Sequence, residues 1–321
     1  MTRAVPIGFD PLNGDQAARV YSSFGYSDGL GMVTTNPGGF MMTAGFAEKA
    51  TELYNFPVDK NDVWIVTFPK AGTNWVSEMA WLIGNDLDYS GAKKSLDMRV
   101  RLFEKVHQGM ICSLERTRLN SLKPPRYIKT HLPFYLLPPK LLDTSKVIYV
   151  ARNPKDVVVS WYYHHKLTKY LGFNGNLDEF IDFFIKDEVM YSPYWPHVLE
   201  AWKFRHHPNM LFVFYEDLKE NLPNELQRIA NHLGKDLLDE EIETLHEHLT
   251  FDNFKINPAV NKEEGKERGV LNKSGSFIRN GKVGDWQYQF TPEMNEKTER
   301  WIACNTENTD LEFTYTLDYQ D

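Results

Sequence analysis

The sequence predicts an α/β fold: a central, mostly parallel sheet flanked by helices. Three observations carry that expectation. Short, nearly continuous apolar runs such as Val63 to Val66 suit strands that are covered on both faces. Amphipathic stretches with helical spacing lie between and after those runs. Chemically active residues follow the runs, at Lys70, His131 and Arg152, and ligands of such sheets bind beyond the carboxyl ends of the strands.

The elements follow in order. The first fifty or so residues are rich in Gly, Ser, Thr and aromatics and show little periodicity, so residues 1–55 read as an irregular arm or lid. Residues 56–321 read as a single domain. Strands are expected at Val63–Phe68, Arg126–Thr130, Lys146–Ala151 and Met210–Tyr215. Helical patterns occupy Pro154–Thr168, Leu177–Ile185, Pro223–Leu233 and Glu240–Leu249. This alternation indicates a doubly wound sheet with right-handed crossovers. Asn257 to Gly284 is dense in Lys, Glu, Asn, Gly and Ser, which predicts a long, mobile loop, usually a functional feature in a compact domain.

Composition narrows the function. The chain has 321 residues, 25% charged and 42% hydrophobic, an ordinary globular balance. Its formal charge of −8 argues against a nucleic-acid partner, so any anion site must be a local gathering of Lys and Arg. Two cysteines, Cys112 and Cys304, make a disulfide framework unexpected and a reducing compartment natural. No leader-like apolar core and no run of membrane-spanning length stands out, so a soluble, cytoplasmic protein without a membrane partner is expected.

Four segments carry chemistry. The first is Thr67-Phe-Pro-Lys70-Ala71-Gly72-Thr73-Asn74-Trp75, a strand, a tight turn and a helix start. Such a turn aims unpaired backbone N–H groups at an anion, and Lys70 adds full positive charge. A phosphate or sulfate is expected there. The loop departs from G-x-x-x-x-G-K-[ST], because Lys70 precedes the one glycine instead of following the second. A kinase built on this turn would need that missing lysine.

The second segment is Lys129-Thr130-His131. Residues two apart on a strand share a face, so Lys129 and His131 can act on one reacting centre, as charge stabiliser and general base. In the third, Arg152 ends an apolar strand and Ser160 sits on the helix that follows; both suit a phosphate, while Arg152 equally suits a partnership with Asp156. The fourth, Ile278-Arg279-Asn280-Gly281, offers charge and sharp turns, as an ordinary solvated loop also would. His246 and His248 diverge on a helix, so no metal site is expected.

In order and spacing, these segments resemble the cytosolic sulfotransferases that use 3′-phosphoadenylyl sulfate (PAPS), from about residue 60 to 300, including Lys-Thr-His-Leu-Pro, Ala-Arg-Asn-Pro-Lys-Asp-Val and Gly-Asp-Trp. The resemblance implies a P-loop-like sulfotransferase fold and sulfuryl transfer from PAPS to a hydroxyl or amine of a small, largely apolar acceptor, leaving adenosine 3′,5′-bisphosphate. It implies that Lys70, Ala71, Gly72, Thr73 and Asn74 hold the 5′-phosphosulfate, with Trp75, Tyr215 and Phe251 around the adenine. Arg152 and Ser160 would bind the 3′-phosphate, and Ile278, Arg279, Asn280 and Gly281 would close over it. His131 would be the base, with Lys70 and Lys129 as charge stabilisers and Ser160 restraining Lys70. Leu102, Phe103, Phe134 and His164 match acceptor-pocket positions, and Phe40 could add an apolar lid; each also suits a plain core. Leu102 and His164 stand where the family often has phenylalanine, and Asn280 where it has lysine. Gln287 and Pro292 depart from the family's dimer motif, which weakens the expectation of its usual homodimer. A retinol dehydratase-like outcome, sulfonation followed by elimination, is the alternative.

Overall fold

Ten strands are present in the computed structural model, which describes residues 6–26, 31–104, 106–107, 110–111 and 122–318. They are β1 (Gly8–Pro11), β2 (Met32–Asn36), β3 (Met41–Thr43), β4 (Val63–Thr67), β5 (Val100–Leu102), β6 (Val106–His107), β7 (Met110–Ile111), β8 (Tyr127–Thr130), β9 (Lys146–Ala151) and β10 (Met210–Phe214). The central sheet has the order β10-β9-β4-β8-β5, and every pairing in it is parallel. Alternate residues feed separate cores on its two sides: Trp64 and Val66 join one, Val63 and Ile65 the other. That double coverage is why the strands read as continuous apolar runs.

Register positions the site. Val66 pairs with Thr130, and Thr67 with Val150. The carboxyl ends of β4, β8 and β9 therefore share one edge of the sheet, and Lys70, His131 and Arg152 leave it together. At the opposite edge Arg126 and Asp62, which precede β8 and β4, form a buried pair, with Arg126 Nε donating to Asp62 Oδ1 at 2.8 Å. Arg126 also donates to the Pro57 carbonyl at 2.8 Å.

The helical expectations hold closely, with helices at Pro154–Leu167, Leu177–Ile185, Leu222–Leu233 and Asp239–Leu249. The irregular N-terminal arm does not. Residues 8–54 hold the antiparallel sheet β1-β2-β3 and helices at Gly14–Ser23 and Ala44–Tyr54. Phe40, Met41 and Met42 are 1%, 0% and 0% exposed, so they are core and not an open lid. Strands of three to five residues are too short to show a period, which hid them. Met41 also exchanges backbone hydrogen bonds with Tyr191 and Ser192, tying this segment to a wall of the cavity described below. β5, three residues long at the sheet edge, was missed for the same reason.

The stretch after Asn257 is largely irregular apart from the short helix Glu264–Glu267. It is stitched to the end of helix Pro154–Leu167 by Asn272 N–H to Leu167 O and Lys169 N–H to Val270 O. Pro292 begins helix Pro292–Thr306, where its missing donor has no intrahelical role, and the Thr291 hydroxyl caps that turn. Among the described residues no helix is long and apolar enough to cross a membrane. Cys112 lies outside the described residues.

Removing one partner of a buried ion pair leaves the other charge uncompensated. Asp62→Ala is therefore expected to cost about 3–5 kcal/mol in chemical denaturation. A loss below about 1 kcal/mol would show that the pair at the foot of β4 and β8 does not bind them together.

Candidate active site

The turn after β4 is held in a strained shape by identifiable contacts. Lys70 and Gly72 both take left-handed backbone angles, with φ of 69° and 107°. A Cβ on Gly72 would approach Tyr215 Cδ2 to 2.8 Å, so both the backbone and the neighbouring ring require glycine there. The Thr67 and Thr73 hydroxyls bond at 2.7 Å across the turn. Helix Thr73–Gly84 then starts with its amide dipoles directed at the sheet edge. The Lys70 ammonium lies 4.5 Å over the Phe277 ring. Burial, then the charges of Arg152, Lys262 and Arg279, push its pKa down to about 7.

His131 is fixed on three sides. Its Nδ1 lies 3.0 Å from the Thr67 carbonyl and 3.2 Å from the Thr67 hydroxyl. A carbonyl only accepts, so the ring proton sits on Nδ1 and Nε2 keeps its lone pair. The His131 backbone N–H donates to buried Glu104 at 2.8 Å, and Glu104 also accepts from the Thr130 hydroxyl at 2.6 Å. The His131 carbonyl accepts from His197 Nε2 at 3.1 Å, while His197 Nδ1 meets the Tyr149 hydroxyl at 2.7 Å. Burial lowers the His131 pKa to about 3, and the charge of Lys129 adds to that, so the imidazole is neutral near pH 7.

Lys129 faces the same cavity, as the strand period requires. It is 3% exposed and donates to Asn74 Oδ1 at 3.1 Å and to Asp97 Oδ1 at 2.8 Å. Lys262 reaches Asp97 from the long loop at 2.9 Å.

Arg152 both lines the cavity and lies within ion-pair distance of Asp156. Its guanidinium donates to the Lys70 and Lys282 carbonyls and lies 4.3 Å over Tyr215, with Asp156 at 3.7 Å. Asp156 also accepts from the backbone N–H groups of Gly284 at 2.9 Å and Trp286 at 3.1 Å. It thereby anchors the loop that carries Ile278, Arg279, Asn280 and Gly281. Arg279 and Asn280 bond Asp285 within that loop. Gly281 has φ 69°, and a Cβ there would come within 2.3 Å of Phe251. The Tyr215 hydroxyl donates to the Gly281 carbonyl at 3.1 Å, and Trp75 Nε1 donates to Leu249 O at 3.0 Å.

These groups surround one cavity of about 400 Å³. The turn from Lys70 to Trp75, except Ala71, lines it together with Lys129, His131, Arg152 and Ser160. Tyr215, Phe251 and the segment Ile278 to Gly281 line it as well, as do Leu102 and His164. Ala71 is buried inside the turn. Three expected pocket residues are absent from its lining. Phe40 packs behind Tyr191 with ring centroids 6.0 Å apart. Phe103 packs on Phe56 and Trp64, next in sequence to Leu102 but outside the cavity. Phe134 packs on Phe204. Sequence reasoning also missed Asp97, Trp161, Thr168, Tyr191, Lys262 and Phe277, all of which line the cavity. Of these, Thr168 had a visible signal, the spacing Ser160, His164, Thr168 along one helix face.

Residues 60–310 match the family model described as "Sulfotransferase domain". The chain belongs to the sulfotransferase family. It is 35% identical over 271 residues to luciferin sulfotransferase of Photinus pyralis, covering 78% of this chain and 73% of that one. It is 38% identical over 271 residues to Sulfotransferase 1A1 of Mus musculus, covering 84% and 92%. A crystal structure of retinol dehydratase with retinol and PAP superposes with a TM-score of 0.90 at 34% identity, covering 97% of this chain and 100% of that one. The parallel sheet presents the turn at Lys70, His131 and Arg152 along one edge. The coverage with retinol dehydratase is too complete to leave out the N-terminal antiparallel sheet.

The fixed tautomer and the buried ring make a measurable statement about His131. Nitrogen chemical shifts of the unliganded protein should keep Nε2 unprotonated as pH falls from neutral toward about 4, well below the ordinary histidine value. A titration midpoint near that ordinary value would contradict the described burial.

Proposed function

We propose that this sulfotransferase moves the sulfuryl group of PAPS to the hydroxyl, or amine, of a small and largely apolar acceptor. The observation that carries the proposal is that Lys70, Lys129 and His131 line one and the same cavity. The residues present fit the donor. The cradle closed by Gly72 and Gly281 would be filled by any Cβ, and Arg152 Nε is buried without a partner. Tyr215, Trp75 and Phe251 supply aromatic faces for an adenine, and the depression of Lys70 by burial and by the neighbouring cations calls for an anion.

When bound, PAPS supplies an activated sulfuryl group and a phosphate oxygen as leaving group. His131 Nε2 takes the proton of the acceptor hydroxyl as its oxygen attacks sulfur. Lys70 stabilises charge on the departing oxygen, and Lys129, oriented by Asn74 and Asp97, stabilises the transferring group. Amides of the turn from Ala71 to Asn74 hold the 5′ end. Arg152 and Ser160 hold the 3′-phosphate, and Ile278, Arg279 and Asn280 cover it. The Lys70 ammonium lies over Phe277, and the family resemblance makes Ser160 the residue that restrains this side chain. Leu102, Trp161, Tyr191, Leu271 and Phe277 form an apolar wall suited to a flat acceptor such as a phenol or steroid. The same reading places the enzyme in the cytoplasm.

His131→Ala is expected to lower turnover by about 10²–10⁴, while the affinity for adenosine 3′,5′-bisphosphate, read by calorimetry, stays within a small factor. Near-wild-type turnover would remove His131 from the mechanism. Arg152→Ala should raise the dissociation constant of the same nucleotide more than the acceptor KM; equal nucleotide affinity would remove Arg152 from the donor site.

The full-length likeness to retinol dehydratase favours one second reading, in which an allylic alcohol is sulfonated and then loses sulfate to give an alkene. Incubation of an allylic alcohol with PAPS separates the two. Alkene with free sulfate supports elimination; a stable sulfate ester supports transfer alone.

A further inference from the structure

We propose that Lys262 is a positioning residue for the transfer: it keeps the Asp97 carboxylate paired while Lys129 leaves for the incoming sulfuryl group. The inference rests on the sulfotransferase reading above and adds a residue to that same site. Asp97, Lys129 and Lys262 all line the cavity. Lys129 Nζ donates to Asp97 Oδ1 at 2.8 Å, and Lys262 Nζ donates to both Asp97 oxygens, at 3.1 and 2.9 Å. One carboxylate therefore faces two ammonium groups, and either can depart without leaving it bare.

The geometry decides which one departs. Lys262 is tied to the Asp97 side. The Ala259 carbonyl, just before Lys262, accepts from the Leu96 N–H at 2.8 Å, and Leu96 opens the short helix Leu96–Arg99 that carries Asp97. The Lys262 carbonyl accepts from the Gly265 N–H at 2.9 Å, and its backbone takes a left-handed φ of 58°. That conformation is unfavourable for a lysine; Lys70 and Tyr191, which also line the cavity, share it, so the strain gathers at the site. Lys129 instead stands between two acceptors. Its ammonium also donates to Asn74 Oδ1 at 3.1 Å, in the turn that would receive the 5′ end of the donor. Movement from Asp97 toward Asn74 brings it to the group in transfer.

Were Lys129 the sole partner of Asp97, its departure would strand a carboxylate in a cavity from which donor and apolar acceptor have expelled water. That anion would hold Lys129 back and would also repel the sulfuryl group. Lys262 removes both penalties, because the pair it forms with Asp97 stays neutral when Lys129 has gone. Its ammonium is no rim charge. It lies 5.2 Å over the Phe277 ring, which the Lys70 ammonium also approaches, to 4.5 Å.

The test is a cycle of Lys262→Met, Asp97→Asn and the double variant. Each is read for kcat with a phenol acceptor and for the ratio of PAPS affinity to adenosine 3′,5′-bisphosphate affinity. Lys262→Met leaves Asp97 to hold Lys129 alone, so kcat and that ratio should each fall about tenfold, the scale on which contacting charges couple. Affinity for the bisphosphate, which lacks the sulfuryl group, should stay within a small factor. Asp97→Asn alone keeps an acceptor for Lys129 and should change both readings less than Lys262→Met does. Combined with Lys262→Met, it frees Lys129 and should recover most of both losses. A substitution that merely loosened the loop would not be repaired by a second one. An unchanged affinity ratio in Lys262→Met, or a double variant no better than Lys262→Met, would overturn the proposal. If the ratio falls and recovers as described but no acceptor is sulfonated, the transfer reading fails and the role of Lys262 stands.

Discussion

Gathering cations in one buried cavity of an acidic chain is the constraint on which the rest of the site depends. Lys70, Lys129, Arg152, Lys262 and Arg279 all line that cavity. The fold tolerates them by setting carboxylates around them. Asp97 bridges Lys129 and Lys262, Asp285 holds Arg279, and Asp156 lies near Arg152 while anchoring the loop at Gly284. Lys70 is treated differently. Among the described residues no carboxylate pairs with it, and its pKa falls to about 7. An anion is the partner that the arrangement lacks, and the helix start after Gly72 points its amides at the same place.

The neighbouring imidazole is held by opposite means. His131 has its backbone N–H, its carbonyl and its Nδ1 each engaged, by Glu104, His197 and Thr67. Three anchors leave one nitrogen for chemistry and fix its direction. Burial keeps the ring neutral near pH 7, with Nε2 unprotonated. Lys70, Lys129 and this neutral imidazole share the cavity because β4 and β8 end in register.

Much of this was legible in the sequence because local chemistry left a local trace. The apolar run into Lys70, the alternation of Lys129 and His131, and the strand end at Arg152 each occupy adjacent residues. What stayed hidden depends on distant partners. Asp97 and Lys262 meet across 165 residues, and nothing in either neighbourhood announces the other. Asp156 is the partner of Arg152 that a helical turn's separation suggests, at 3.7 Å, but its second task, accepting from the backbone of Gly284 and Trp286, left no sequence trace. Phe103 and Phe134 resembled pocket residues by position, but each packs into the core beside the cavity. Phe40 looked like part of a flexible lid, since a strand as short as β3 shows no period; it is core instead.

The most direct test of the central claim is calorimetry of adenosine 3′,5′-bisphosphate binding at roughly pH 8 in buffers of different ionisation enthalpy, which counts the protons exchanged. A lysine whose pKa lies near 7 in the unliganded protein is mostly uncharged there and must regain its proton when the anion arrives. The account predicts uptake of nearly one proton in the wild type and none in Lys70→Met. Tight binding with no proton uptake by the wild type would contradict it, because Lys70 would then carry its full charge before any anion is bound.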